Sequence, residues 1–153
     1  MNIPQFGAAD DGATYPDRPA AFAVIERDGE IALVQVERAG RGLAVDLPGG
    51  GIDPGEAPGE AAVRECGEEA GLVVVVEPTP FVRADHYFLH NDGLIRNTRG
   101  LFFRGRMAGE DPALKIELDH ELVWMAPYDA LLRLDRESHA WALASWLRLR
   151  ART

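Results

Sequence analysis

Residues 50–72 read GGIDPGEAPGEAAVRECGEEAGL and carry the clearest structural signal of the chain. Pro58 suits the first turn of an α-helix, where its missing N–H needs no partner, and Gly71 suits the residue after a helix end. The pattern therefore predicts a helix over residues 59–70, entered through a glycine-rich loop.

Three carboxylates of this predicted helix share one face. Glu68 follows Glu65 by three residues and Glu69 follows it by four, which confines all three to an arc of about 100°. Arg64 can brace Glu68, but one guanidinium cannot neutralise three carboxylates that repel one another. Oxygen-rich acidic clusters suit hard divalent cations, so the sequence predicts a site for Mg²⁺ or Mn²⁺ here.

The order of glycines and charged residues in this window resembles the Nudix box of the Nudix hydrolase superfamily. The run from Leu47 to Glu56 resembles the loop by which the family enters its helix. Seven fixed identities arise by chance in a chain this long with a probability of about one in a million. The matched positions are Gly50, Glu56, Arg64, Glu65, Glu68, Glu69 and Gly71, followed by an apolar residue at Leu72.

The resemblance implies both a fold and a reaction. The implied fold is α/β, an α/β/α sandwich with a central mixed sheet, the box helix on one face and the C-terminal helix on the other. The implied reaction is metal-dependent hydrolysis of a pyrophosphate bond in a nucleoside diphosphate linked to another group, by water attacking phosphorus. The implied metal ligands are Glu65, Glu68, Glu69 and a backbone carbonyl of Gly49 or Gly50, with Arg64 and Glu56 bracing the helix and loop.

The resemblance leaves the general base open, because family members differ in this residue. Glu65 is one candidate. The other is Glu121, since residues 119–124 resemble the family's habit of placing an acid shortly before a late strand that bears a tryptophan. Ordinary solvated loop positions are the alternative for Glu121 and for its neighbour Glu117.

A local excess of arginine suggests where substrate phosphates bind. Residues 81–107 hold five arginines against two acids, and arginine forks match phosphate oxygens. Arg83 and Arg99 are the first candidates because they adjoin apolar strand positions. Tyr87 lies near the place at which diadenosine polyphosphate hydrolases of the family carry a tyrosine. Solvated or buried strand positions without a role are the alternative for these residues.

The rest of the chain predicts a mixed sheet covered on both faces. Apolar runs on either side of Asp28-Gly29 predict a hairpin. Ser138 is the expected N-cap of a last helix that reaches about Arg150, and His139 is expected at the surface. Further strands are expected at 43–47, 73–76, 81–88, 122–125 and, broken near Gly100 or Gly105, at 95–107, with a short helix at 128–134.

Length, composition and charge restrict the class of protein to which the chain can belong. A chain of 153 residues, 46% of them apolar, favours one domain, expected at residues 20–153 after a flexible segment at 1–19. The single cysteine, Cys66, and the lack of a long apolar run favour a cytoplasmic protein with no membrane partner. The net charge of −9 argues against a nucleic-acid polymer as partner. The expected partner is a small-molecule nucleotide, and a homodimer stays open.

Two other functions stay open at this point. One is a Nudix-fold nucleotide-binding regulatory module without turnover, although degenerate relatives typically lose the carboxylates that Glu65, Glu68 and Glu69 provide. The other is a plain acidic interaction domain. Among substrates, oxidised nucleoside triphosphates, diadenosine polyphosphates and nucleotide sugars are all compatible with the sequence.

Overall fold

A nine-stranded mixed sheet organises residues 2–152, the part of the chain that the computed structural model describes. Met1 and Thr153, at the outer ends of the two predicted segments, lie outside the described residues. The strands are β1 (Gln5–Phe6), β2 (Asp17–Arg27), β3 (Glu30–Arg38), β4 (Gly42–Asp46), β5 (Gly49–Gly51), β6 (Leu72–Val76), β7 (Val82–Leu89), β8 (Ile95–Glu110) and β9 (Glu121–Met125). The helices are α1 (Pro58–Ala70), α2 (Pro127–Arg133) and α3 (Glu137–Arg150), and a 3₁₀ turn spans Pro112–Leu114.

The predicted hairpin forms, and away from its turn the two strands pair with different neighbours. Asp28 and Gly29 both adopt positive φ, as a tight turn between β2 and β3 requires, and the two strands pair only beside it. Beyond the turn, β2 runs parallel to β8 and antiparallel to β5, whereas β3 continues between β4 and β9. The glycine-rich strand β5 is therefore held against β2, directly before the loop that leads into α1.

Alternate residues of β2 face two different helical layers, which confirms the α/β/α sandwich. One face packs against α1 and the other against α2 and α3. The α1 layer joins Ala21, Ala23 and Ile25 to Ala61, Ala62 and Cys66. The opposite layer joins Phe22 and Val24 to Ala130, Leu143 and Trp146.

The predicted box helix is confirmed at both ends. α1 begins at Pro58 and ends at Ala70. Gly71 follows it in the left-handed conformation, with φ +68°, and donates its N–H to the carbonyls of Cys66 and Gly67. Cys66 is fully buried against the sheet, as a small apolar side chain should be.

The predicted break in the long strand is wrong. β8 runs uninterrupted and changes partner instead, pairing with β7 as far as Phe102 and with β6 from Gly105. Gly105 permits this close approach, because a Cβ at that position would lie 2.7 Å from the carbonyl oxygen of Val75.

The predicted cap of the last helix is also wrong. α3 begins at Glu137, two residues earlier than a cap at Ser138 allows, and its cap position, Arg136, makes no side-chain cap hydrogen bond. Ser138 is instead buried inside the helix, where its Oγ lies 2.9 Å from His86 Nδ1. A long-range hydrogen bond thus outweighs the local capping preference of serine.

His139 is buried, which corrects the expected surface position. Its side chain is 1% exposed and packs beside the rings of Phe22 and Phe102. Nδ1 accepts the backbone N–H of Leu47 at 3.1 Å, which anchors α3 to the run before the glycine-rich strand. Burial lowers the pKa of His139 to about 3.

The first nineteen residues contribute to the sheet at two points. β1 pairs in parallel with β7, and β2 already begins at Asp17. The flexibility expected for residues 1–19 stays a prediction. No helix within residues 2–152 has the length and apolar character that crossing a bilayer requires.

His139 should make the stability of the protein fall in mild acid. The pKa of a histidine exposed to water is about 6.5, so the unfolded chain gains a proton below that pH while the folded chain stays neutral at this site down to about pH 3. Stability is lost across this window, by at most about 1.4 kcal/mol per pH unit from this residue. His139→Asn keeps an acceptor for the Leu47 N–H and cannot titrate. Urea unfolding between pH 6.5 and 4 should therefore show a shallower loss for H139N than for wild type, and equal slopes would contradict the assignment.

Candidate active site

A cavity of about 260 Å³ opens between β5, α1 and residues 111–120, which we call the 111–120 segment. Its lining carries charges of both signs. The acids Glu65, Glu69 and Glu117, together with the adjoining Glu68, form what we call the carboxylate cluster. The arginines Arg18, Arg38 and Arg136 form what we call the arginine group.

Glu69 is a buried carboxylate that joins three elements. Its Oε1 accepts the N–H of Gly49 at 2.8 Å, and its Oε2 lies 3.0 Å from His120 Nε2. Burial raises the pKa of Glu69, and the two hydrogen bonds oppose that rise. The contact with Glu69 also raises the pKa of His120 to about 9, so a protonated imidazole faces the carboxylate at neutral pH.

Gly49 can occupy its place only as glycine. Its φ is +151°, and a Cβ there would lie 2.2 Å from the carbonyl oxygen of Ala21. This close approach of β5 to β2 is what brings the Gly49 N–H to Glu69. The neighbouring Gly50 lies against Glu65, whose Cδ would be 2.9 Å from an added Cβ.

Arg64 braces the cluster as the resemblance implied. It donates twice to Glu56, at 2.8 and 3.0 Å, and once to the Gly51 carbonyl at 3.0 Å, which ties α1 to its entry loop. One of its nitrogens is shared between Glu65 and Glu68, at 3.0 Å from each. Burial and the charge of Glu69 nevertheless raise the pKa of Glu65 to about 7, so the arginine leaves the cluster incompletely neutralised.

The 111–120 segment adds an acid for which the sequence alone favoured no role. Glu117 belongs to two groups whose ligand atoms lie within 4.8 Å of one another, one with Glu69 and His120 and one with Glu65 and Glu68. In the first group the imidazole is engaged with Glu69, so the second group, made only of carboxylates, suits a hard cation better.

An oxygen atom that has no hydrogen-bond partner among the described residues indicates that these carboxylates fit a cation. Glu117 Oε2 is buried and has no hydrogen-bond partner within residues 2–152. A buried carboxylate oxygen without a partner is costly, and next to Glu65 and Glu68 the cost is higher still. These residues therefore fit a divalent cation, which would satisfy the orphaned oxygen and offset the repulsion.

Three of the predicted residues, Glu121, Arg83 and Arg99, belong neither to the cavity lining nor to the carboxylate cluster. Glu121 is exposed at the start of β9 and does not line it. Arg83 and Arg99 line a separate depression on the sheet, where Arg99 is paired with Asp17 and with Asp85. The remaining arginines between residues 81 and 107 do not line the cavity either.

Tyr87 lies beside the cavity rather than in it. Its ring is 4.9 Å from that of Tyr15, and it lines an adjoining depression. That depression shares Arg38, Phe88 and His90 with the cavity, so the two are continuous.

The guanidinium groups in the cavity come from the arginine group and not from the arginines at 81–107. The side chain of Arg18, at the start of β2, makes no hydrogen bond or ion pair within the described residues, and burial lowers its pKa. Arg136 stacks on the Phe88 ring at 4.1 Å, and its Nε has no hydrogen bond among these residues. Arg38 is held by Asp46, at 2.5 Å. The only sequence signal for Arg18 was its place directly before a buried strand.

Comparisons with known proteins identify the family of the chain. A family model described as a NUDIX domain matches residues 16–147. An RNA pyrophosphohydrolase of Sphingopyxis alaskensis is 32% identical over 122 residues, covering 72% of this chain and 76% of that protein. An RNA pyrophosphohydrolase of Gluconobacter oxydans is 41% identical over 127 residues, covering 71% of this chain and 68% of the relative.

Solved structures share the architecture. A NUDIX hydrolase from Nitrosomonas europaea superposes with a TM-score of 0.74 at 20% identity, covering 87% of this chain and 89% of the other. A MutT NUDIX hydrolase from Burkholderia pseudomallei superposes with a TM-score of 0.62 at 29% identity, covering 84% and 97%.

A divalent cation should stabilise the folded protein. An ion that binds only the folded form adds about 2.7 kcal/mol to the free energy of unfolding when its concentration is a hundred times its Kd. Melting in EDTA and in millimolar Mg²⁺ measures this as a rise in Tm. The rise should vanish in E65Q/E68Q/E117Q and persist in E60Q/E77Q/E121Q, a control with the same charge change at positions outside the cluster. Equal shifts in both variants would count against the cluster as the metal site.

Proposed function

The chain belongs to the Nudix family and is a hydrolase of phosphorus-containing anhydrides, and on that premise we propose that it cleaves a pyrophosphate bond of a nucleotide-type substrate by attack of water on phosphorus. The cation in this proposal is Mg²⁺ or Mn²⁺, held by Glu65, Glu68 and Glu117. The observation that carries the proposal is the buried, unpartnered Oε2 of Glu117 within the carboxylate cluster.

The chain's own residues serve mainly to place charge. A bound divalent cation supplies positive charge for the phosphoryl oxygens and lowers the pKa of a bound water. Phosphoryl transfer depends more on such charge placement than on covalent chemistry by the protein. Arg64 holds Glu65 and Glu68 in position, and Glu69 fixes the distance between α1 and the glycine-rich strand.

Glu117 takes the place that the resemblance gave to an acid outside the box. In this proposal one of its oxygens completes the carboxylate group that holds the cation, and the other accepts a proton from the attacking water. Its position within 4.8 Å of the ligand atoms of Glu65 and Glu68 supports this role. Glu121, four residues later, is exposed and has no such neighbours.

Substrate phosphates are proposed to contact Arg18 and Arg136 instead of Arg83 and Arg99. Arg18 and Arg136 line the same cavity as the carboxylates; the Arg18 side chain has no ion pair within residues 2–152, and Arg136 Nε, 3.7 Å from Asp46 Oδ1, makes no hydrogen bond there. Guanidinium groups match phosphate oxygens in geometry and charge. The non-reacting phosphates would then be held by arginine and the reacting one by the cation.

The substrate class that we propose includes the 5′ end of RNA. The expectation that a nucleic-acid polymer is excluded rested on net charge and finds no support in relatives named RNA pyrophosphohydrolases. An RNA chain contains a pyrophosphate bond only in a 5′-terminal di- or triphosphate, so only that end needs to enter the cavity. Nucleoside triphosphates and dinucleoside polyphosphates offer the same bond and are the small-molecule alternatives.

Turnover of a substrate panel tests the function. Wild type with Mg²⁺ should release phosphate or pyrophosphate from 5′-triphosphorylated RNA or a nucleoside triphosphate, or split a dinucleoside polyphosphate into two mononucleotides. Glu117→Gln keeps the shape and removes the charge, so kcat should fall by about a hundredfold or more. Glu121→Gln should stay within about threefold of wild type. Binding of nucleotides without any turnover by wild type would favour the regulatory module, and equal losses in the two variants would refute the assignment of Glu117.

Arg18 should affect substrate binding more than chemistry. An arginine that grips a non-reacting phosphate binds the ground state and the transition state alike. Arg18→Gln should therefore raise KM by about tenfold with little change in kcat. The exposed Arg83, changed to Gln, is the matched control and should leave KM within about threefold. A higher KM in the Arg83 control but not in Arg18→Gln would indicate that the phosphate contacts Arg83 on β7 instead.

A further inference from the structure

One ammonium group donates hydrogen bonds to the backbone of the segment that carries Glu117 and His120. Lys115 is the only lysine in the sequence. Its Nζ donates to the carbonyl oxygen of Glu117 at 2.6 Å and to that of His120 at 2.5 Å. Of the three residues of the 111–120 segment that line the cavity, Glu117, Asp119 and His120, this side chain thus holds the backbones of the first and the last.

The same segment is docked on the end of α1. The carbonyl of Glu68 accepts the N–H groups of Ile116 and Glu117, both at 3.0 Å, and the Gly71 carbonyl accepts the N–H of Asp111 at 2.9 Å. The last turn of α1 contains no basic residue of its own. Lys115 lies beside this helix end, since its Cβ is 3.7 Å from the place that a Cβ on Gly71 would take.

The chemistry of the ammonium suits this task. It is compact and has three donors that can serve converging carbonyls, whereas the planar fork of arginine suits carboxylates. Holding the carbonyls of Glu117 and His120 fixes the turn between them. Without that restraint, repulsion from Glu65 and Glu68 would drive the Glu117 carboxylate away from the cluster.

We propose that Lys115 is a positioning residue for the cation site, acting through the backbone carbonyls of Glu117 and His120. The proposal rests on the metal-dependent function proposed above. Lys115 contacts neither the cation nor the substrate in it. Its effect is to hold the ligand Glu117 within reach of Glu65 and Glu68 before a cation arrives.

Lys115→Met is the first test, because it keeps the aliphatic stem and removes the donors. Calorimetric titration with Mn²⁺ should show a Kd about tenfold or more above that of wild type, the usual cost of losing a residue that orients a ligand. Amide hydrogens of Ile116 and Glu117 should exchange faster in the metal-free variant. In assays kcat should fall at subsaturating metal while KM for the substrate changes by less than about threefold.

Arg133→Met is the matched control. Arg133 is exposed on α2, and its loss changes the net charge by the same amount. It should leave the Kd for Mn²⁺ and the amide exchange of Ile116 and Glu117 as in wild type. An equal rise in Kd in R133M would mean that overall charge, not the position of Lys115, sets the affinity.

Chemical rescue distinguishes the effect of the ammonium group from the effect of the side-chain volume. Alkylation of K115C with bromoethylamine regenerates an ammonium of lysine length, and alkylation with iodoacetamide gives a neutral group. Cys66 is buried, and burial raises the pKa of its thiol, so it does not compete in the folded protein. The aminoethylated protein should recover Mn²⁺ affinity to within about threefold of wild type, and the carbamidomethylated protein should not.

Weaker Mn²⁺ binding in K115M with recovery by aminoethylation supports the proposal. Unchanged Mn²⁺ affinity, equal recovery by the neutral group, or a K115M protein that fails to fold overturns it, because a side chain needed for the whole fold is not a positioning residue. Failure of wild type itself to bind Mn²⁺ would instead refute the proposed function.

Discussion

The buried carboxylate of Glu69 is the constraint on which the arrangement of this protein depends. Removing a carboxylate from water is costly unless its oxygens are hydrogen-bonded. Glu69 meets that requirement by accepting from Gly49 on β5 and from His120 on the 111–120 segment. The two bonds fix α1 against the sheet on one side and the segment against α1 on the other. The glycine at position 49 follows from the same requirement, since any Cβ there would collide with β2.

The hydrogen bonds within the protein satisfy Glu69, whereas the negative charge of the other carboxylates in the cluster is not fully neutralised. Arg64 divides its donors among Glu56, Glu65, Glu68 and a loop carbonyl, so it braces the geometry without cancelling the charge. Glu117 then adds another carboxylate with one orphaned oxygen. A cluster that is rigid and under-neutralised is poised for a cation, because binding need not reorganise the ligands.

The sequence predicted the parts of the site whose determinants are local. Pro58, Gly71 and the three-and-four spacing of the glutamates lie within one helix, so helix periodicity alone was enough to place them together. The same holds for the hairpin at Asp28-Gly29. Residues that reach the cavity from elsewhere could not be identified in this way, because strand pairing and loop docking decide which side chains converge.

Two predictions whose residues lie outside the cavity show how this limit operates. Arg83 and Arg99 lie on neighbouring strands, where Arg99 pairs with Asp85 in the register of β7 and β8, and a shift of one residue would have turned each side chain to the other face. Glu121 was preferred to Glu117 for its place before the late strand, yet Glu121 is paired opposite Gln35 in β9. Docking of the 111–120 segment on the Glu68 carbonyl is a tertiary contact with no local sequence signal.

The charge of the cavity matters more for the choice of substrate than the charge of the whole chain. A net −9 repels a polyanion only if the acids are evenly spread, and at physiological salt charges more than about 8 Å apart are largely screened. Here α1, the 111–120 segment and Asp46 of β4 supply the acids, while β2, β3 and the residue before α3 supply Arg18, Arg38 and Arg136 to the same cavity. A phosphate that enters meets guanidinium groups beside a cation site. In the proposed function, the terminal phosphates of a nucleotide or of an RNA would contact these guanidinium groups and the bound cation, whatever the sign of the distant surface.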